Sequence, residues 1–223
     1  MRVILFGATG MVGQGVLREC LLAHDVERVL AVGRKATGQR HEKLRELVTA
    51  DLFDLGPHAA ELTGFDACFF CLGVSSAGMS ESEYRHVTKD LTLAVGELLA
   101  RLNPTMTFLY ISGAGTDSTE RGRMMWARVK GETENALLRL PFQAAYMFRP
   151  GFIQPLHSIT SRTQLYRLVY AALGPLYPLW KALFPRWVTT TELVGKAMLA
   201  VARRGAPKPV LETADINALG RDG

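Results

Sequence analysis

Three glycines spaced three residues apart lie in the stretch Gly7-Ala8-Thr9-Gly10-Met11-Val12-Gly13. The stretch follows the apolar run 3–6 and precedes Val16, Leu17, Cys20 and Leu21 at helical spacing. These residue types fit phosphate binding. A tight turn from strand to helix needs positions without a side chain, and a pyrophosphate approaches backbone N–H groups only where no Cβ intervenes. The N-terminus of the helix that follows adds partial positive charge. Gly7, Thr9, Gly10, Met11, Val12 and Gly13 therefore read as a dinucleotide cradle, set apart from an ordinary glycine turn by the strand before it and the helix after it.

A second group closes the next apolar run. An acid at that point would grip a ribose 2′-hydroxyl, but the chain reads Gly33-Arg34-Lys35, with Arg34 21 residues after Gly13. A guanidinium suits a 2′-phosphate, so Arg34 and Lys35 favour NADP over NAD. The alternative is that both are solvated loop charges.

With these residues in view, the chain resembles a small member of the extended or atypical short-chain dehydrogenase/reductase superfamily. It is similar to bacterial NAD-dependent epimerase/dehydratase and NAD(P)H-binding proteins and to the Tat-interacting-protein-like group. The likeness covers nearly the whole chain, and the GxxGxxG spacing is that of short-chain dehydrogenases. The resemblance implies that Asp51 and Leu52, after the third strand, flank the adenine. It places Cys71-Leu72-Gly73, after the fourth strand, beside the adenine ribose, and Arg149-Pro150-Gly151, after the sixth, beside the nicotinamide.

In that superfamily a Ser and a Tyr-x-x-x-Lys helix move the proton that accompanies hydride transfer, and the Lys holds the nicotinamide ribose. Here Ser112 ends the fifth apolar run, and Trp126-Ala127-Arg128-Val129-Lys130 begins 14 residues later. Trp126 and Lys130 stand at i and i+4 and share a helix face. The lysine matches the pattern and the tyrosine does not. An indole N–H donates a hydrogen bond but has no accessible acid or base form, so Trp126 can orient a carbonyl without exchanging its proton. Loss of a positioned acid typically removes ~10²- to 10⁴-fold in rate. Ser112, a water on Lys130 or a tyrosine from elsewhere, Tyr84 or Tyr166, are the remaining proton sources; Ser112 also reads as a plain turn residue, with Gly113 in the serine slot if the register slips by one. The expectation is an oxidoreductase moving hydride between NADP(H) and a small carbonyl or related acceptor. The alternative that Trp126 keeps open is a non-catalytic NAD(P)H-dependent regulator or redox sensor that binds a protein partner.

These residues need a scaffold, and the pattern of the chain supplies one. Apolar runs at 3–6, 28–32, 44–48, 67–72, 107–112, 144–148 and 210–212 alternate with segments of helical period. That alternation predicts an α/β fold, a three-layer Rossmann-like doubly wound parallel sheet, in one domain spanning 1–223. Ser80 with Glu83 forms a capping box before Tyr84, Val87, Leu91, Ala94, Val95, Leu98 and Leu102, a stripe that Pro104 stops. Thr189 with Glu192 repeats the device, and Gly205 fits a C-terminal cap. The segment 153–187 breaks the alternation with Tyr166, Tyr170, Tyr177, Trp180, Phe184 and Trp187. In related extended proteins this stretch closes the substrate cleft, so it reads as a lid or cleft wall for a small-molecule substrate with an apolar group.

Composition sets the remaining bounds. At 223 residues, 48% hydrophobic, the chain is long enough for a full core, and three cysteines are a poor basis for a disulfide scaffold. The N-terminus reads as a strand with no signal peptide, and a cytoplasmic location is the expectation. The charge-free run 168–180 is too short and too interrupted to span a membrane. A net charge of +5 suits an anionic cofactor but lacks the dense basic stripe of a nucleic-acid binder. Cys68 and Cys71 lie three apart in a strand, on opposite faces, and no second ligand pair supports a metal site. Helices like 80–102 form dimer interfaces in relatives, so the resemblance admits a homodimer.

Overall fold

The computed structural model describes residues 1–159 and 187–222. Short apolar runs form the strands because both of their faces are covered. In β1 (Arg2–Phe6), Val3 and Leu5 enter one core layer while Ile4 and Phe6 enter the other. The same holds for β2 (Arg28–Gly33), β4 (Ala67–Phe70) and β5 (Thr107–Ile111), as two-sided burial in a parallel sheet requires. With β3 (Leu44–Val48), β6 (Ala144–Arg149) and β9 (Val210–Glu212) they make a seven-stranded sheet in the order β3-β2-β1-β4-β5-β6-β9. All of its pairings are parallel.

Helices cover both faces. The glycine loop leads into α1 (Met11–Leu22), which buries Val16, Leu17 and Cys20 against β1. On the opposite face α3 (Leu91–Leu102) and α4 (Met125–Leu137) pack Val95, Leu99 and Leu137 onto Phe6, Phe70 and Phe108. The cysteines follow the strand pattern, with Cys68 in one layer and Cys71 against the other.

Several boundaries differ from the sequence reading. The fourth and fifth strands stop at Phe70 and Ile111, which leaves Leu72 and Ser112 in the loops beyond. The Ser80 capping box is present and opens α2 (Glu81–Arg85), but His86–Asp90 is wound as a π-helix before α3 begins. The wider turn shifts the helical phase, so Thr88, Thr92 and Leu99 are buried while Val87, Ala94, Leu98 and Leu102 are only half-buried.

The segment 153–187 has structure at its ends. There β7 (Phe152–Gln154) pairs in parallel with β8 (Val188–Thr190). Because β8 runs through Thr190, the cap moves on by one residue: the Thr190 hydroxyl, not Thr189, accepts the Leu193 N–H and opens α5 (Thr191–Arg204). Gly205 ends that helix at φ +72°, and α6 (Thr213–Arg221) follows β9. The expected lid residues Tyr166, Tyr170, Tyr177, Trp180 and Phe184, with the run 168–180, lie outside the described residues. No helix among the described residues is long and apolar enough to cross a membrane.

Candidate functional site

The strand order reverses direction between β1 and β4, and in open α/β sheets the ligand crevice lies at such a point beyond the carboxyl ends of the strands. A cleft of about 1070 Å³ occupies that position. Its floor is the glycine loop, with Gly7, Thr9, Gly10, Met11 and Val12 on its lining. Gly7 sits at φ +80°, and a Cβ there would lie 2.7 Å from backbone atoms of Cys71 and Leu72. Gly13 does not line the cleft. A Cβ on it would lie 2.0 Å from the Gly7 carbonyl oxygen, so it lets α1 start against the loop.

The loop fits a pyrophosphate. Gly10 caps α1 with no side chain on its first-turn N–H groups, while its own N–H goes to the Gly7 carbonyl at 2.9 Å. The first donors of the helix therefore face a cleft that no side chain fills, with the helix dipole behind them.

Arg34, Lys35 and Thr37 form one rim, the first two exposed. Glu46 of β3 lines the same rim and accepts the Thr37 N–H at 2.6 Å, which ties the loop after β2 to the neighbouring strand. Leu52, Leu72 and Gly73 also line the cleft. Asp51 does not. Its carboxylate accepts the Phe53 N–H at 2.8 Å in a local turn, which leaves Leu52 as the wall residue after β3.

At the far end, Ser112 and Lys130 reach the lining together. The Ser112 hydroxyl donates to the Phe148 carbonyl at 3.0 Å, and the Lys130 ammonium donates to the Ser112 carbonyl. Burial holds the Lys130 pKa down to about 8, opposed by the Glu134 carboxylate one helical turn on. Glu134 is buried and takes both Nε and Nη2 of Arg149, the Nε contacts measuring 3.1 and 3.2 Å. Arg149 and Pro150 are absent from the lining; Gly151, Phe152 and Ile153 carry that corner instead. Trp126 is half-buried with its ring against Gly115, where an added Cβ would lie 3.4 Å from it, and it too is absent from the lining. Among the described residues, no group of three or more His, Cys, Asp or Glu side chains could hold a metal ion.

Residues 3–120 match the model of the NAD dependent epimerase/dehydratase family. The chain belongs to this family. That places it in the atypical short-chain dehydrogenase/reductase superfamily, with an NAD-binding Rossmann fold. Protein fmp52, mitochondrial, of Emericella nidulans is 28% identical over 203 residues, covering 87% of this chain and 84% of the relative. Protein HTATIP2 of Rattus norvegicus is 28% identical over 153 residues, 68% of this chain and 62% of its own. Among solved structures, the Bordetella bronchiseptica enzyme WbmF in complex with NAD+ superimposes with a TM-score of 0.67 at 16% identity. That alignment spans 99% of this chain and 77% of WbmF.

The named relatives also correct one expectation. The cytoplasmic location read from cysteine usage and the N-terminus is contradicted by fungal relatives named as mitochondrial proteins. A small number of cysteines reports redox conditions, not which membrane encloses a protein.

Sequence reasoning missed Thr37, Glu46, Phe152 and Glu134, whereas Ile153 opens the segment expected to wall the cleft and lines it. For Glu134 a signal existed, since it stands four residues after Lys130 on the same helix. For Glu46 none did, because its place on the rim follows from the pairing of β2 with β3.

Proposed function

We propose that this family member is an NADP(H)-dependent oxidoreductase acting on a small carbonyl or related substrate with an apolar group. Lys130 provides the proton that Trp126 cannot. One observation carries the reading: a single cleft joins the glycine loop, the Arg34 and Lys35 rim and the Lys130–Ser112 pair. A bound nicotinamide dinucleotide supplies or accepts the hydride. The glycine loop and the α1 N-terminus hold the pyrophosphate, Arg34 and Lys35 meet the 2′-phosphate, and Leu52, Leu72 and Gly73 flank the adenosine.

Ser112 gives its hydroxyl hydrogen to the Phe148 carbonyl, so its oxygen keeps acceptor capacity only. Lys130 has three N–H donors, one of them on the Ser112 carbonyl, which leaves two for a ribose hydroxyl and a substrate oxygen. In the reducing direction a Lys130 N–H proton passes to the oxygen of the former carbonyl, and the ammonium becomes a neutral amine. A pKa of about 8 makes both forms accessible near neutral pH. Val74, Ile111, Phe152 and Ile153 give the cleft the apolar wall that suits the substrate class.

A second reading, a non-catalytic NAD(P)H-dependent regulator that binds a protein partner, is favoured by Trp126 standing against Gly115 outside the lining. The test is a paired NADPH and NADH titration followed by tryptophan fluorescence and energy transfer, then a carbonyl panel. Tighter NADPH binding with turnover is expected. Binding without any turnover selects the regulator, and binding of neither nucleotide overturns both readings.

A further inference from the structure

The Arg149–Glu134 ion pair is out of place as a stabilising device. A buried pair gains little over apolar residues of the same volume, because desolvation of the two charges offsets their attraction. Yet the Glu134 and Arg149 side chains are 1% and 11% exposed. The pair also lies beside Lys130, whose proton affinity burial has lowered: Glu134 follows it by one turn of α4, Lys130 reaching the carbonyl just past β5 and Glu134 the last residue of β6.

We propose that Glu134 and Arg149 are positioning residues that set the protonation of Lys130 and keep its ammonium aimed into the cleft. The inference rests on the reading of Lys130 as proton donor. A carboxylate four residues from a lysine on one helix face is its natural partner, and alone it would draw the ammonium toward α4 and hold it protonated. Arg149, from the end of β6, occupies both oxygens of that carboxylate, and Lys130 donates to the Ser112 carbonyl instead. Nη2 also donates to Ser118 and Nη1 lies 3.5 Å from Glu212 of β9, so the arginine is held from three sides. Glu134 still lies close enough to oppose the effect of burial on Lys130.

Other groups facing this cluster leave the assignment unchanged. Tyr110 of β5 lies near both Glu134 and Tyr84 of α2, and burial pushes its hydroxyl pKa far up, so it stays neutral. Glu212 reaches the cluster only through Arg149.

The experiment follows the Lys130 side chain by NMR on lysine labelled with ¹³C at Cε, the resonance being assigned with Lys130→Met. Its titration midpoint is compared in the parent, in Glu134→Gln/Arg149→Met and in Arg149→Lys, with thermal unfolding as the folding control. The double substitution removes both charges and keeps side-chain volume, so it avoids leaving one buried charge alone. The midpoint is expected to fall by up to about one unit in the double variant, because the Glu134 carboxylate acts on Lys130 directly whereas Arg149 acts through that carboxylate, and to stay near the parent value in Arg149→Lys. A folded double variant with an unmoved midpoint overturns the inference. If the midpoint moves but the pH profile of turnover does not follow it, the positioning role stands and the proton-donor reading of Lys130 fails.

Discussion

Replacing Gly13 and Gly10 separately by Ala distinguishes a glycine that the fold requires from one that the ligand requires. At Gly13 the new methyl carbon would stand 2.0 Å from the Gly7 carbonyl oxygen, where ordinary contact begins at 3.4 Å. The oxygen belongs to backbone at the junction of β1 and α1 and a Cβ has no rotamer to change, so neither atom can swing away. Overpacking of this kind costs ~1–3 kcal/mol. At ~2–4 °C per kcal/mol for a chain of this length, the Tm falls by about 5 °C. At Gly10 the methyl would stand 3.3 Å from the same oxygen, a clash of a few tenths of an ångström, and its outward side opens to the cleft. The Tm of Gly10→Ala should stay within about 2 °C of the parent, while the NADPH Kd rises at least ~10-fold, a loss of about 1.4 kcal/mol. Thermal unfolding followed at 222 nm without nucleotide gives the first quantity, and the fluorescence titration gives the second. An unchanged Tm in Gly13→Ala would refute the structural reasoning. Full NADPH affinity in Gly10→Ala would remove the pyrophosphate from this loop.

Three further outcomes follow from particular residues. Arg34→Ala should weaken NADPH by roughly 10-fold or more and leave NADH unaffected, since one charge-assisted contact contributes ~1.5–3 kcal/mol; equal losses for both nucleotides would show that Arg34 does not meet the 2′-phosphate. Arg149→Met alone should destabilise the fold by ~3–5 kcal/mol in urea unfolding, because it leaves the buried Glu134 carboxylate without its partner. Hydrogen bonds from Arg85 and then Lys89 hold the Glu132 carboxyl down to about 2, well below its ordinary 4.5. The stability this confers is complete above about pH 4.5 and is lost as the pH falls toward 2, so Glu132→Gln should flatten the acid limb of stability against pH. A limb of unchanged steepness would show that this ion pair contributes nothing.

The sequence alone determined the fold class and the glycine loop because their signals are local. Strand, glycine turn and helix between residues 2 and 22 are written in consecutive residues, and β3 and β9 fall where their apolar runs predict. Arg34 and Lys130 were legible by spacing from the glycines and from Ser112, and both line the cleft. Asp51 and Leu52 were legible only as a pair, since which neighbour faces the cleft depends on the turn that the Asp51 carboxylate closes. The phase of the helix after Ser80 was not legible, because no residue type marks the π-helix at His86–Asp90 in the sequence. Tertiary structure alone decided that Glu46 shares a rim with Arg34, and that Arg149 serves Glu134 instead of lining the cleft. Those relations join residues 12 and 15 positions apart through strand pairing and a helix crossing. Periodicity in sequence records which face of an element is buried, whereas the contacts across that face appear only once the elements have packed.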